Sequence, residues 1–272
     1  MDPELERLRA ELAATKSELE AQRTEARAAS AALQSALKKS EDAVSELEQF
    51  AYITSHDLQA PLRNVTGFSQ LLVKRYKSAL PPEAQDFVSY IQSSVRHMQE
   101  LIDDLLTYSR VGRAPERQTA KQSLLGTLRM AEVTVSGRLL ACSGSILWAD
   151  MPEVVGDHRM LAQLFSNLFD NALKFQPAGQ VPVVQLSCED RGEEWLFRVV
   201  DNGIGIPAEH LETIFAVFRR LHTLEEYEGT GIGLAICRKV ADQHGGRIWA
   251  ESAGLGQGAC FCLLLPKKPP TQ

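Results

Sequence analysis

Residues 1–49 contain no glycine and no aromatic residue, and 34 of these 49 positions are Ala, Glu, Lys, Leu or Arg. Such a stretch is constrained to be helix, because these side chains lose little freedom on entering one. Leu5, Leu8, Leu12 and Leu19 follow a three-four spacing with charges between them. Leu33, Leu37, Ser40, Val44, Leu47, Ala51, Thr54 and Leu58 continue a seam in a shifted phase. Joining the two phases takes one extra four-residue step, most easily between Ala26 and Ser30, which is the stutter of a coiled coil. A lone helix of this length would have nowhere to bury its leucines, so a parallel homodimer is expected.

The helical pattern runs on to about Lys77, with Pro61 removing one backbone hydrogen bond and bending the helix. Ser78–Pro82 reads as a turn. A second amphipathic helix carries Ala84, Phe87, Ile91, Val95, Met98, Leu101, Ile102, Leu105 and Tyr108 on one stripe and ends near Val111 and Gly112. Two such hairpins pair into a four-helix bundle in the dimer. Arg113–Lys121 is polar, holds Pro115 and reads as a linker.

Sixteen of the eighteen glycines and all three tryptophans lie at or after Gly126. There the pattern mixes. Helices are expected over Leu124–Leu140, His158–Phe175 and Gly231–Gly245. Strands are expected over Ile146–Trp148, Glu153–Val155, Val183–Cys188, Trp195–Val200, Arg247–Glu251 and Ala259–Leu265. A block of this size with both kinds of element suggests an α/β sandwich, so the fold class is α+β. The expected division is a coiled-coil linker at 1–44, a helical hairpin at 45–113, a linker at 114–121, an α/β domain at 122–268 and a tail at 269–272.

A formal net charge of −6 makes this a poor candidate for gripping nucleic acid or an anionic membrane. No apolar run is long enough to span a bilayer, and the charged N-terminus lacks a signal core. The five cysteines contain no CxxC. Cys260 and Cys262 are two apart on an expected strand and share a face, and neither a disulfide scaffold nor a zinc site is expected. A reducing cytosol is the natural compartment.

Four segments carry chemistry. In Ser55-His56-Asp57-Leu58-Gln59-Ala60-Pro61, taking Ala51 as position a places His56 at f, furthest from the seam. There a neutral imidazole is available as a nucleophile. On one helix, Asn167, Asn171 and Lys174 are four and three apart and share a face. Amide oxygen is a hard ligand acceptable to Mg²⁺, and an ammonium meets phosphate oxygens. Asp201-Asn202-Gly203-Ile204-Gly205-Ile206-Pro207 follows an apolar strand, and Gly229-Thr230-Gly231-Ile232-Gly233-Leu234 opens a helix. Glycines allow close backbone approach, and a helix N-terminus offers free N–H groups to phosphate. No Walker A pattern and no kinase glycine loop with a downstream His-Arg-Asp is present.

The ordered series of His56 helix, Asn helix, DNGIGIP, the stretch Ile214–His222 and GTGIGLAI resembles the sensor histidine kinases. LEQFAYITSHDLQAPLR and LIDDLLTYSRVGR are similar to the phytochrome-type branch in particular. The resemblance covers about residues 45–266. It implies that His56 accepts the γ-phosphoryl group of ATP and that Asp57 orients or deprotonates its imidazole. It implies Mg²⁺ on Asn171, with Asn167 and Lys174 near the phosphates, and Asp201 reading the adenine amino group. Gly203 and Gly205 would pass beneath the base and Phe175 would wall it. Phe215 and Phe218 would anchor a lid at 219–228, and Arg220 would reach the γ-phosphate. Gly229, Thr230, Gly231, Gly233 and Leu234 form the box that would cradle phosphates. The implied partners are a second copy, a response-regulator receiver domain and an upstream sensor outside this chain. Many relatives carry Thr or Asn four residues after the phosphorylated histidine. Ala60 stands there in this chain, which puts phosphatase activity in doubt. A gyrase-like ATPase or a non-enzymatic adaptor would lack a use for the His56 helix or for the intact Asn171, Asp201 and glycine box. The remaining histidines are expected to be ordinary partly exposed residues, and Cys237 to be core.

Overall fold

The computed structural model describes residues 57–76, 79–111, 121–223 and 226–268, and scattered positions between Lys16 and Lys39. The chain divides into two units, Met1–Ala51 and Tyr52–Gln272. In the first, the described positions are helical and exposed, Leu33 to 72%. His56, most of the second seam and residues 113–120 and 269–272 lie outside the described residues.

In the second unit, α1 (57–76) continues as helix straight through Pro61. A turn closed by Ala79 and Leu80 N–H groups on the Tyr76 carbonyl leads into α2 (Pro82–Arg110), which has proline at its first position. Leu62 of α1 meets Val95, Ile102 and Leu106 of α2 in a small buried cluster. Gln59 donates to Asp103 at 3.1 Å and Gln99 to Thr66 at 3.2 Å across the pair. Phe68, Phe87, Tyr90, Ile91 and Met98 stay exposed, Phe68 to 74%.

The remainder is β1 (Lys121–Ser123), α3 (Leu124–Ala141), β2 (Ser145–Trp148), β3 (Glu153–Val155), α4 (His158–Lys174), β4 (Val183–Asp190), β5 (Glu194–Asp201), α5 (Gly233–Gln243), β6 (Arg247–Glu251) and β7 (Cys260–Pro266). Short 3-10 turns at Ala208–His210 and Thr213–Phe215 lie between β5 and α5. The main sheet has the order β2-β4-β5-β7-β6, with β2 parallel to β4 and the other pairs antiparallel. β1 pairs with β3 in a separate ribbon, so Lys121 belongs to a strand rather than to the expected linker. A three-residue strand has too few positions to show a period, and only its partner reveals it.

Strand alternation places the core. On β7, Phe261, Leu263 and Leu265 enter the large cluster beneath the helices, while Cys262 and Leu264 join Leu196 on the opposite face. On α4, Leu161, Leu164, Phe165, Leu168, Phe169, Ala172 and Leu173 are buried at helical spacing. Its start is fixed by Asp157, whose carboxylate accepts from the Arg159 and Met160 N–H groups. Burying that stripe turns Asn167, Asn171 and Lys174 toward a cleft rather than the sheet.

Candidate nucleotide site

A cavity of about 480 Å³ lies between α4, the start of α5, the stretches 219–222 and 227–231, and the C-terminal part of α2. Asn167, Asn171, Lys174, Phe175, Asp201, Gly205, Arg220, Gly229, Thr230, Gly231, Gly233 and Leu234 all line it. Segments widely separated in sequence are thus brought to one place.

Asp201 closes β5. Its Oδ1 accepts from the Gly203 N–H at 2.8 Å and the Ala259 N–H at 3.1 Å. Its other oxygen makes no hydrogen bond among the described residues and is available to a ligand. Burial raises the carboxyl above its ordinary value, and the two backbone bonds oppose that rise. Gly205 has φ +73°, and a Cβ there would come within 2.1 Å of the Gly254 carbonyl oxygen. Gly203 does not line the cavity. A Cβ on it would strike the Phe175 carbonyl oxygen at 2.3 Å, so this glycine serves packing rather than passage beneath a ligand.

Asn171 lines the cavity and makes no side-chain hydrogen bond among the described residues, which leaves its amide oxygen for a cation. Asn167 is committed elsewhere. Its amide donates to the Gly233 carbonyl at 3.1 Å and accepts from Gln163 at 3.0 Å, so it braces α4 against the start of α5. Burial lowers the Lys174 ammonium from its ordinary value, with the charge of Asp170 opposing. Its Nζ lies 4.4 Å from the Phe175 ring centroid, and a Cβ at Gly229 would come within 2.9 Å of it.

Residues 219–223 and 226–228 lie over this wall. Tyr227 packs on Phe175 at 5.1 Å and donates its hydroxyl to the Gln176 carbonyl at 3.0 Å. His222 packs on both rings, at 6.0 and 5.1 Å. Arg220 donates to the Tyr227 carbonyl at 3.1 Å. Phe215 is buried against the core, with the Arg238 guanidinium 4.7 Å from its ring. Phe218 departs from expectation. It adopts φ +61° and is 59% exposed, so the turn into the lid points its ring outward and it anchors nothing.

Sequence reasoning missed the acidic side of the cleft. Glu100, Asp103 and Asp104 of α2 line the cavity, and the Thr230 hydroxyl donates to Asp104 at 2.5 Å. Burial raises the carboxyl groups of both Glu100 and Asp104 from their ordinary values. Arg138 of α3 pairs with Asp170 of α4 at 2.6 Å and with Glu228 of the lid at 2.5 Å. Lys239 donates to the Tyr108 carbonyl at 3.0 Å with its ammonium 4.4 Å from the Tyr108 ring, which fastens α5 to α2. No local signal marks these residues, because their roles depend on α2 docking against the sandwich. His222 is partly exposed, as expected, and its ring packs on Phe175 and Tyr227. Cys237 is fully buried, as expected.

Asp57 is helical and exposed.

This fold and cleft define a nucleotide-binding α/β sandwich joined to a helical hairpin. Residues 156–269 match the family described as histidine kinase-, DNA gyrase B- and HSP90-like ATPase, and residues 46–114 match the His Kinase A (phospho-acceptor) domain. The chain belongs to the sensor histidine kinases. It is 42% identical over 228 residues to cyanobacterial phytochrome A of Nostoc sp. strain PCC 7120, and 40% identical over 225 residues to the phytochrome-like protein Cph1 of Synechocystis sp.. Each match covers 82% of this chain but 29% of the relative, so the chain spans less than a third of their length. Among solved structures, full-length ShkA in complex with AMPPNP superposes with a TM-score of 0.63 at 29% identity, over 82% of this chain and 47% of ShkA. Histidine kinase ThkA in complex with the response regulator TrrA shares the fold, with a TM-score of 0.55 at 22% identity over 80% of this chain and 62% of that one.

Proposed function

We propose that this chain is the catalytic part of a sensor histidine kinase, which transfers the γ-phosphoryl group of ATP to His56 and then to an aspartate of a response regulator. The observation that carries the reading is Asp201. One oxygen is pinned by two backbone N–H groups, and the other is left for the adenine amino group in a cavity that also holds Asn171, Lys174 and the glycine box. A carboxylate can only accept when ionised, so it selects a base that donates at that position.

In the transfer, a nitrogen of His56 attacks the γ-phosphorus, the bond to the departing ADP oxygen breaks, and the imidazole gives its proton to Asp57. Lys174 and Arg220 compensate phosphate charge, and the free N–H groups at Gly231 and Gly233 meet phosphate oxygens at the start of α5. The unpartnered amide oxygen of Asn171 suits Mg²⁺, which when bound would neutralise charge on the triphosphate. Asn167 keeps the role its hydrogen bonds support, positioning α5 relative to α4.

The working form is a homodimer. The exposed Phe68, Phe87 and Tyr90 of the hairpin support it, since a second copy would cover them and complete a four-helix bundle. Division into 1–44, 45–113, a linker at 114–120, an α/β domain that starts at Lys121 and runs to 268, and a tail at 269–272 belongs to the same reading. No described helix is long and apolar enough to cross a membrane. A cytosolic location, where ATP and receiver domains are available, fits the proposed reaction.

The test is incubation with γ-labelled ATP and Mg²⁺, then mapping of acid-labile label. The reading requires label on His56, its loss in His56→Ala, and nucleotide affinity little changed in that variant. Label that persists in His56→Ala overturns the assignment.

A further inference from the structure

We propose that Glu251, Cys260 and Cys262 form a binding site for a tetrahedral d¹⁰ divalent cation of the zinc class, on the sheet face away from the helices. The sequence alone speaks against such a site, because ligands close along the chain stop at two cysteines. The sheet supplies the third. Glu251 of β6 pairs with Cys260 of β7, and Cys260 and Cys262 share a face. One donor atom from each of the three residues lies within 4.8 Å of the others.

The sulfur geometry selects the metal class. The two Sγ atoms lie 3.6 Å apart. In a tetrahedral centre with metal–sulfur bonds of about 2.3 Å, the sulfurs stand about 3.8 Å apart. A linear two-thiolate centre with bonds of that length would hold them about 4.6 Å apart, which this pair does not reach. The sulfurs are therefore set at nearly the tetrahedral edge by the strand itself. Two thiols in mutual S–H contact would show the same spacing, so the carboxylate on the same face is what completes a donor set.

Glu251 is exposed, and one of its oxygens accepts from the Trp249 indole N–H at 2.8 Å. That bond orients the carboxylate and leaves the second oxygen for a cation, the arrangement by which outer partners support metal ligands. Arg198 of β5 stands opposite Cys262 of β7 but is engaged by Glu189 at 2.8 Å, so its charge is compensated. Two thiolates and a carboxylate leave a fourth position for water or an outside ligand, as in open zinc sites.

Cys260 also adjoins Ala259, whose N–H holds Asp201. The site thus lies at the strand ends that frame the nucleotide cleft, although metal binding itself does not depend on the kinase reading.

The test is titration of the full chain, under a phosphine reductant that keeps thiols reduced, with Zn²⁺ against a chromophoric chelator and with Cd²⁺ followed by its thiolate charge-transfer absorption. The expected result is one equivalent per chain. Cys260→Ser and Cys262→Ala should each weaken binding about 100-fold or more, and Glu251→Gln about 10-fold, since loss of a ligand costs at least as much as the roughly 10- to 100-fold seen when a ligand's support is removed. Cys142→Ser and Cys188→Ser should leave it unchanged. Circular dichroism confirms folding of each variant, and the half-buried Cys260 provides a substitution that spares the core. No charge-transfer band, or a band unaffected in folded Cys260→Ser and Cys262→Ala, overturns the site.

Discussion

The Thr230 hydroxyl donates to the Asp104 carboxylate at 2.5 Å, joining the glycine box to α2 across 126 positions of sequence. Asp104 therefore stands where a nucleotide phosphate would seek the same loop, with Glu100 and Asp103 beside it. Removing its charge should favour an anion in the cleft. Asp104→Asn is expected to raise ADP affinity about 3- to 10-fold at low salt, roughly 1 kcal/mol, with the gain shrinking as salt is added. Calorimetric titration at two ionic strengths checks this, and an unchanged affinity would show that the carboxylate does not oppose nucleotide.

The same residue sets a pH dependence. Its folded pKa is raised, mainly by burial. The folded state therefore binds more protons than the unfolded one between the ordinary value of 3.8 and the raised one. Stability contributed by this group is greatest below that window and declines as pH rises through it. Thermal melts from acid to neutral pH should show a shallower decline across this window in Asp104→Asn than in the parent. Identical slopes would remove Asp104 from the account.

Asp201→Asn should separate recognition from folding. The two N–H groups of Gly203 and Ala259 pin the amide oxygen, which turns the NH₂ toward the cavity. A donor then faces the adenine donor. ADP affinity should fall about 10- to 100-fold. Stability should hold or rise, because a buried charge is removed. Asn171→Ala should instead leave metal-free ADP affinity within about 3-fold while abolishing Mg²⁺-dependent turnover. Equal losses of metal-free affinity in the two variants would collapse the distinction.

Two glycines of the site should respond differently to alanine. Gly205 has φ +73° and no room for Cβ, so Gly205→Ala should cost about 3 kcal/mol or more and lower the melting temperature sharply. At Gly233 the nearest atom to an added Cβ is 3.7 Å away, an ordinary contact. Gly233→Ala should keep or slightly raise stability, by up to about 1 kcal/mol, while weakening nucleotide binding. Denaturant curves with ADP titration test both, and full affinity in Gly233→Ala would place phosphate elsewhere.

Gly67 lies in the middle of α1, and an added Cβ would meet nothing within 4 Å. Packing within the chain therefore does not require glycine there. Its face also carries the exposed Ala60, Arg63, Gln70 and Lys74. If a receiver domain docks on this face, Gly67→Leu should preserve autophosphorylation and slow phosphoryl transfer about 10-fold or more. Unchanged transfer would remove Gly67 from the docking face. Ala60 offers no side-chain hydrogen bond, so phosphatase activity toward a phosphorylated regulator should be low. Rapid ATP-independent dephosphorylation would show that another group, such as Gln59, positions the water.

What the sequence determined by itself is what repeats locally. The three-four spacing specified the helices of the hairpin, the apolar run Ala259–Leu265 specified a strand on which Cys260 and Cys262 share a face, and the helical spacing of α4 left Asn167, Asn171 and Lys174 together. Each follows from the period of one element, so no distant residue is needed to read it. Tertiary structure decided what stands opposite. It placed Asp104 on Thr230, laid His222 and Tyr227 on Phe175, turned Phe218 outward, committed Asn167 to Gly233 and carried Glu251 to the cysteine pair. These pairings arise only when helices and strands bury their apolar faces against one another, and the spacing of residues along the chain carries no record of the partner that burial selects.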